Sequence, residues 1–317
     1  MATRRLRIDS NGTYYHLITR AAGCASERPF GHVEKRKLVE LITDLDRFHT
    51  IEIIAYSVMS THLHLVVMAP EKLTDHQETA RRFKAYYPNK QLPVQGTEHY
   101  ERLRERMRDI SDFMKSLQMR FTCWFNRTRP EKRCGRLWSE RFKSVILQGG
   151  GSSAVWSCVK YVELNAVRAG LVEDPGAYRF CSWGVYCGTG KHPFSENFLR
   201  HSRWVLGDSV ASLSDGQMFL EFRAGMVRTL AVASQLSLED VDELMAAARR
   251  GAPLWDVAER RVRFWTDGAV IGSRAFVKEC YARLLDATRA MKHQCGTGRT
   301  ATGEKLYALR RLQVDVE

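Results

Sequence analysis

The spacing of apolar and polar positions in the first half of the chain predicts a sheet with packed helices. Runs rich in apolar, aromatic and β-branched residues at 13–20, 51–58 and 62–68 are typical of strands, and the short link between the last two fits a hairpin. Over residues 33–48, apolar residues recur three and four positions apart, which predicts a helix. The chain is therefore expected to open with a strand, a helix and a strand pair.

A polar stretch interrupts this pattern before it resumes. Residues from about 70 to 100 contain prolines and many polar side chains, and we interpret them as an insertion. Helical periodicity then covers 101–126, a basic turn enters a strand over 136–147, and a helix follows from about 153 to 169. This order of elements predicts an α+β fold with a ferredoxin-like antiparallel sheet and helices on one side.

The last third of the chain has a different pattern. Past residue 186 the strand signals give way to helical runs such as 237–249 and 274–292. We therefore predict a first domain over residues 1–190, which includes the insertion, and a mainly helical C-terminal region over 191–317.

Charge narrows the class of partner. The 317 residues include 49 Lys and Arg against 36 Asp and Glu, which gives a formal net charge of +13. Such an excess favours nucleic acid as the partner, with an acidic membrane surface as the alternative. No apolar run approaches the ~20 residues that span a bilayer, and the N-terminus lacks the apolar core of a signal peptide. We expect no membrane insertion and a cytoplasmic location.

Two histidines on a predicted strand are candidate metal ligands. His62 and His64 are two positions apart, and residues at that spacing on a strand point to the same face. Both imidazoles are therefore in a position to hold one metal ion. The alternative is a pair of half-buried polar residues on a strand, but the apolar run that follows, Leu65-Val-Val-Met68, places the pair inside a sheet.

A tyrosine and an asparagine share one face of the helix at 153–169. Tyr161 and Asn165 are four residues apart, which stacks the phenol and the amide on the same side. A neutral phenol, with a pKa of about 10, is a poor nucleophile, but a neighbouring cation stabilises the phenolate. The alternative is a core ring beside a surface amide.

Four separated segments carry a resemblance to a known family. TYYHLITR, YSVMSTHLHLVV, GRLWSERFKS and YVELNAVRAGLVEDPGAYRFCSW resemble, in the same order, the motifs of the REP-associated tyrosine transposases, over roughly residues 10–190. These belong to the HUH group of single-strand transposases, named for histidine–hydrophobe–histidine. Two positions depart from the family pattern. Ala166 stands where a proline usually follows the asparagine, and Met59-Ser-Thr-His62 replaces Met-Pro-Asn-His.

The resemblance implies a function for each part of this constellation. His62 and His64 would bind a divalent metal, Mg²⁺ or Mn²⁺, with Asn165 as a further ligand. Tyr161 would attack the DNA backbone, leaving a covalent 5′-phosphotyrosine and a free 3′-OH, so that the strand can be rejoined without a nucleotide cofactor. The implied partner is single-stranded or hairpin DNA. The family contains dimers and monomers, so a monomer and a homodimer both remain open here.

Basic side chains around these residues are candidates for contacts with DNA phosphates. They lie at the end of the first strand, around the loop that precedes the strand at 136–147, and beside the tyrosine. The alternative is that they form a solvated face. The six candidates are Arg20, Arg136, Arg141, Lys143, Lys160 and Arg168.

Three functions follow from these observations. The first is a metal-dependent transposase that nicks and rejoins DNA through Tyr161. The second is a domesticated DNA- or RNA-binding protein that keeps the fold and the basic surface but does not cut. The third is a metal-dependent phosphohydrolase in which the histidine pair activates water and Tyr161 is dispensable. For the C-terminal region, DNA binding and a scaffold role both stay open.

Overall fold

The described part of the chain contains one mixed sheet of seven strands. The computed structural model describes residues 12–23, 27–129, 131, 133–233, 241–242, 245–246, 264–285, 291–299 and 304–314. The described strands are β1 (Thr13–Arg20), β2 (Glu52–Val58), β3 (His62–Ala69), β4 (Lys143–Leu147), β5 (Gly268–Gly272), β6 (Met291–Arg299) and β7 (Lys305–Val314). Their order in the sheet is β2-β3-β1-β4-β5-β7-β6. All neighbours are antiparallel except β4 and β5, which are parallel.

Helices pack on this sheet, and the predicted α+β class is therefore confirmed. None of the described helices is both long and apolar enough to cross a membrane. The helices are α1 (His32–Asp46), α2 (His76–Tyr86), α3 (Glu98–Met107), α4 (Ile110–Arg127), α5 (Ala154–Glu163), α6 (Asn165–Arg168), α7 (Ser182–Thr189), α8 (Ser195–Leu206), α9 (Asp215–Ala233), α10 (Phe264–Asp267) and α11 (Arg274–Leu285).

Helices cover both faces of the sheet, so the prediction of helices on one side is wrong. Side chains alternate along β1, which sends Thr19 and His16 to opposite faces. Thr19 accepts a 2.6 Å hydrogen bond from Gln118 of α4. On the other face, the His16 ring lies 5.9 Å from the ring of Tyr161 on α5. The physical reason is that nearly every residue of β1 and β3 is buried, and such strands need cover on both sides.

The stretch predicted as a polar insertion contains helix α2 and the start of α3. These helices pack around a small apolar cluster of Phe48, Phe83, Leu103 and Met107, separate from the main core. The single helix predicted over 101–126 is divided into α3 and α4. The division occurs at Asp109, whose carboxylate accepts a hydrogen bond from the Ser111 N–H at 2.6 Å and so caps α4.

The C-terminal region extends the same sheet. Strand β5 pairs with β4, where Ile146 lies opposite Val270, and the Gln148 N–H donates to the Ile271 carbonyl at 2.9 Å. The prediction of a mainly helical C-terminal region therefore misses β5, β6 and β7. Of the helical run predicted at 237–249, most residues lie outside the described part of the chain, whereas the run that begins at residue 274 is helix α11.

Candidate functional site

The two histidines of β3 lie on the sheet face that α5 covers. His62 opens the strand and is half-buried, whereas His64 is buried. Their ring centroids are 4.9 Å apart and their planes are nearly perpendicular, at 85°. The Thr61 hydroxyl lies 2.9 Å from Nδ1 of His62. The alternation of side chains along a strand thus brings both imidazoles to one face, as the sequence predicts.

Tyr161 projects from α5 towards these imidazoles. The helix begins after Ser153, whose backbone N–H donates to the Glu304 carboxylate at 3.0 Å, and every side chain of α5 is buried. The Tyr161 ring meets the His64 ring edge-on, with centroids 6.0 Å apart. The guanidinium carbon of Arg168 lies 4.5 Å from the centroid of the Tyr161 ring, which is the geometry of a cation–π contact.

Asn165 begins the short helix α6, two residues after the end of α5 at Glu163. Its amide nitrogen donates to the Val162 carbonyl at 3.3 Å, which leaves the amide oxygen as the atom suited to bind a cation. Ala166, at the position where the resembled family has proline, is fully buried. The helix ends at Arg168, and Gly170 follows with a positive φ of 63° beside a 3.0 Å bond from the Leu171 N–H to the Ala166 carbonyl.

A cleft of about 630 Å³ joins these groups, and His62, His64, Tyr161 and Asn165 all line it. Of the six predicted phosphate-binding residues, Arg20, Arg141, Lys143 and Arg168 line it as well. The first three of these are exposed, and Arg168 is partly buried. The cleft therefore combines two imidazoles, a phenol and an amide with four cationic side chains.

The other two predicted cations do not line the cleft. Lys160 is only 3% exposed and packs against Gly225 of α9. Burial and the charge of Arg228 lower the pKa of Lys160 to about 8, while the charge of Glu221 acts in the opposite direction. Arg136 is exposed on the loop before β4, where its carbonyl accepts a 2.9 Å hydrogen bond from Arg133.

His16 of β1 is a further member of the site that the sequence reasoning misses. It is fully buried, and its Nε2 lies 2.8 Å from Nδ1 of His64. Its Nδ1 lies 2.9 Å from the backbone carbonyl of Trp265 in α10. The signal available in the sequence was a histidine inside an otherwise apolar strand. Glu140 and Thr266 also line the cleft.

Burial controls the charge of the inner imidazoles. It lowers the pKa of His16 to about 4, while the bond to the Trp265 carbonyl acts in the opposite direction. It lowers the pKa of His64 well below the usual value, and the charges of His62 and His16 lower it further. Burial also lowers the pKa of Arg168, whereas its interaction with Tyr161 raises it. His16 and His64 are therefore neutral at pH 7, which is the form of histidine that binds metal.

The donor set fits a divalent cation that keeps open coordination positions. Within the described ranges, no three His, Cys, Asp or Glu side chains come together as ligands. The protein would therefore supply the imidazoles of His62 and His64 and the amide oxygen of Asn165. Of the two predicted ions, Mn²⁺ accepts imidazole ligands more readily than Mg²⁺, and both complete their shell with water and phosphate oxygens.

Comparison with known proteins gives one structural similarity to report. No protein-family model matches the sequence. No curated protein matches it either. Among solved structures, the chain is similar to a REP-associated tyrosine transposase bound to a REP hairpin, at 17% sequence identity and a TM-score of 0.40, over 61% of this chain and 89% of that chain.

Proposed function

We propose that this protein is a metal-dependent transposase-type nuclease that nicks and rejoins single-stranded or hairpin DNA, with Tyr161 as the nucleophile. The observation that carries the proposal is the convergence of His62, His64, Tyr161 and Asn165 on one basic cleft. Each residue pair has an ordinary structural explanation by itself. A buried phenol, a paired imidazole set and a rim of cations in one cavity are together the parts that phosphoryl transfer to a tyrosine requires.

We further propose that β1 to β4 form a ferredoxin-like core of the HUH type. The order β2-β3-β1-β4, antiparallel throughout, supports this assignment, as does the placement of α1 between β1 and β2 in the chain. In this arrangement the histidine strand is interior to the sheet, and the tyrosine helix crosses the face on which both imidazoles lie.

The proposed chemistry is a transesterification. The Tyr161 hydroxyl loses its proton to water, and its oxygen forms a bond to phosphorus while the bond from phosphorus to the 3′ oxygen breaks. The leaving 3′ oxygen takes the electron pair and then a proton from water. Arg168 lies over the phenol ring, where its positive charge favours the negative charge that develops on deprotonation. A divalent metal held by His62, His64 and Asn165 would polarise the scissile phosphate. The phosphotyrosine retains the energy of the broken bond, so a 3′-OH can reverse the step.

The proposal of DNA as the substrate rests on the exposed cationic side chains around the cleft. Arg20, Arg141 and Lys143 are exposed around the cavity, where they are placed to contact successive phosphates. We infer that the substrate is an unpaired or hairpin strand, because two groups of the cleft, His64 and Tyr161, are almost completely buried. His64 and Tyr161 are only 2% and 8% exposed, which a rigid duplex would not reach.

The test is covalent capture of DNA. Wild-type protein is incubated with Mn²⁺ and an oligonucleotide pool whose hairpin loops and single-stranded flanks are randomised, and protein–DNA adducts that survive denaturation are isolated. We expect adducts with wild-type protein and with Tyr186→Phe, a tyrosine that stacks on Phe219 away from the cleft, and none with Tyr161→Phe. Adducts with Tyr161→Phe contradict the nucleophile assignment.

Two other outcomes identify the alternative functions. Salt-sensitive DNA binding without scission under Mg²⁺ or Mn²⁺ identifies a non-cutting nucleic-acid-binding protein on the same fold. Strand cleavage that persists in Tyr161→Phe without any adduct identifies a phosphohydrolase that activates water.

A further inference from the structure

A chain of hydrogen bonds leads from the C-terminal region to the candidate metal ligand His64. The Trp265 carbonyl lies 2.9 Å from Nδ1 of His16, and Nε2 of His16 lies 2.8 Å from Nδ1 of His64. The two imidazoles are nearly parallel, at 23°, with centroids 5.0 Å apart. His16 is 0% exposed and His64 is 2% exposed, so water does not compete for these bonds.

The direction of each hydrogen bond follows from which atoms can donate, starting from the backbone carbonyl of Trp265. A backbone carbonyl only accepts, so Nδ1 of His16 carries the proton and donates to Trp265. In a neutral imidazole the other nitrogen then has a lone pair and no proton, so Nε2 of His16 accepts. The donor to it is Nδ1–H of His64. This leaves Nε2 of His64 without a proton and with its lone pair available.

We propose that His16 is a positioning residue that holds His64 in the Nδ1–H tautomer, so that the lone pair of its Nε2 is available to a divalent metal in the cleft. This inference rests on the proposed function for the identity of the ligand, and it adds the group that sets the ligand's protonation. The Nδ1–H tautomer is the minor form of free histidine, so an acceptor opposite Nδ1 of His64 shifts this residue towards the minor tautomer. Metal-binding histidines commonly need such a partner on the ring nitrogen that is remote from the metal.

The alternative, that His16 is itself a metal ligand, does not fit its contacts. Both ring nitrogens of His16 are engaged, one by Trp265 and the other by His64. Its side chain does not line the cleft that His62 and His64 line. His16 therefore acts on the site through His64.

Through these hydrogen bonds, the C-terminal region contributes a backbone carbonyl to the candidate site. Trp265 belongs to α10, which leads directly into β5, and β5 is held beside β4 by sheet pairing. The carbonyl that orients His16 thus belongs to a residue 249 positions further along the chain. Pairing of β5 with β4 therefore supports the metal ligand as well as the sheet.

The first test reads the tautomers directly. Long-range ¹H–¹⁵N NMR spectra of metal-free protein labelled at histidine are recorded at pH 7.5, and the signals are assigned with His16→Gln and His64→Gln variants. We expect the Nδ1–H form at both His16 and His64. An Nε2–H form at His64 overturns the inference.

The second test measures metal affinity. His16→Phe places a planar, somewhat larger ring at this position that cannot accept a hydrogen bond, whereas His16→Gln keeps an acceptor and a donor. We expect His16→Phe to weaken Mn²⁺ binding, measured by titration calorimetry without DNA, by about 10–100-fold, and His16→Gln to restore most of that loss. The matched control is His49→Phe, because His49 is also a buried histidine bonded to a backbone carbonyl, that of Met107 at 3.2 Å.

The outcomes separate this inference from the proposed function. Thermal unfolding of each variant establishes that it is folded. Equal Mn²⁺ affinities of wild-type protein and His16→Phe overturn the inference, as do equal losses in His16→Phe and His16→Gln. No Mn²⁺ binding by wild-type protein overturns the metal assignment in both proposals. If the tautomers and the Mn²⁺ affinities are those expected here but no DNA adduct forms, the proposed function is overturned and the role of His16 is retained.

Discussion

The Tyr161 ring stands edge-on to the His64 imidazole, at 86° and with 6.0 Å between centroids. This relationship joins a helix to a strand that lies almost a hundred positions earlier in the chain. It places the candidate nucleophile and a candidate metal ligand in one wall of the cleft. We therefore expect loss of either residue to stop the same reaction.

Loss of either imidazole should separate cutting from binding. We expect His62→Ala and His64→Ala to abolish the covalent DNA adduct and to weaken Mn²⁺ binding at least as strongly as the ~10–100-fold expected from loss of an outer partner. DNA binding measured in EDTA should stay within about threefold of wild type, because the rim cations are unchanged. The control is His32→Ala, an exposed histidine at the start of α1. An adduct formed by His64→Ala would refute the ligand assignment.

Arg168 is expected to affect the rate of adduct formation more than the affinity for DNA. Its guanidinium lies over the Tyr161 ring, so its charge acts on the oxygen that becomes negative. Removal of one such electrostatic contact typically costs about 10²–10³ in rate. We expect a loss of this size in Arg168→Met and a smaller loss in Arg168→Lys, which keeps the charge. Single-turnover kinetics at saturating DNA measure the rate, and an unchanged rate in Arg168→Met would exclude the contact from catalysis.

The rim cations should determine the salt dependence of DNA binding. Each phosphate contact adds about 0.7 to the slope of log affinity against log salt for a single strand. We expect Arg141→Ala and Lys143→Ala each to reduce the slope by about that amount. The matched control is Lys160→Met, because Lys160 is buried against α9 and should leave the slope unchanged. A lower slope in Lys160→Met would show that this side chain reaches the DNA after all.

The sequence predicts those parts of the fold and site that depend on local spacing. The bounds of β1 agree with the structure because its β-branched and aromatic residues favour an extended chain. The shared face of His62 and His64 follows from strand alternation, and that of Tyr161 and Asn165 from the helical repeat. Lys160 lies outside the cleft because consecutive helix residues point about 100° apart, so the residue before Tyr161 points in another direction.

The features that the sequence does not predict depend on distant parts of the chain. His16 meets His64 only because β1 and β3 pair with Ile18 opposite His64. The second partner of His16 is a backbone carbonyl in α10, and a backbone contact of this kind cannot be predicted from the pattern of side chains. Strand β5, with the sequence GAVIG, is too short and too rich in glycine to stand out from a loop, and its pairing with β4 and β7 identifies it.

Glu163 anchors α5, the helix that carries the candidate nucleophile, to α7 from inside the core. Its carboxylate accepts a hydrogen bond from the Ser182 hydroxyl and another, at 3.0 Å, from the Trp183 N–H at the start of α7. Burial raises the pKa of this carboxyl from 4.5 to about 7, although the hydrogen bonds from Ser182 and Trp183 act to lower it. The residue lies two positions after Tyr161, so its ionisation bears on the stability of the site.

This raised pKa predicts how stability changes with pH. Between pH 4.5 and about 7 the folded carboxyl of Glu163 holds a proton that the unfolded chain has lost, so the free energy of unfolding falls as pH rises through this window. The fall attributable to Glu163 is at most about 3 kcal/mol, and it ends above the folded pKa. We expect Glu163→Gln, which cannot ionise, to reduce the decline in urea unfolding measured from pH 4.5 to 8, whereas the part due to Asp46, whose pKa burial raises to about 6, remains. Glu173→Gln, at an exposed position, should keep the full decline. A decline of equal size in Glu163→Gln would assign the pH dependence to another group.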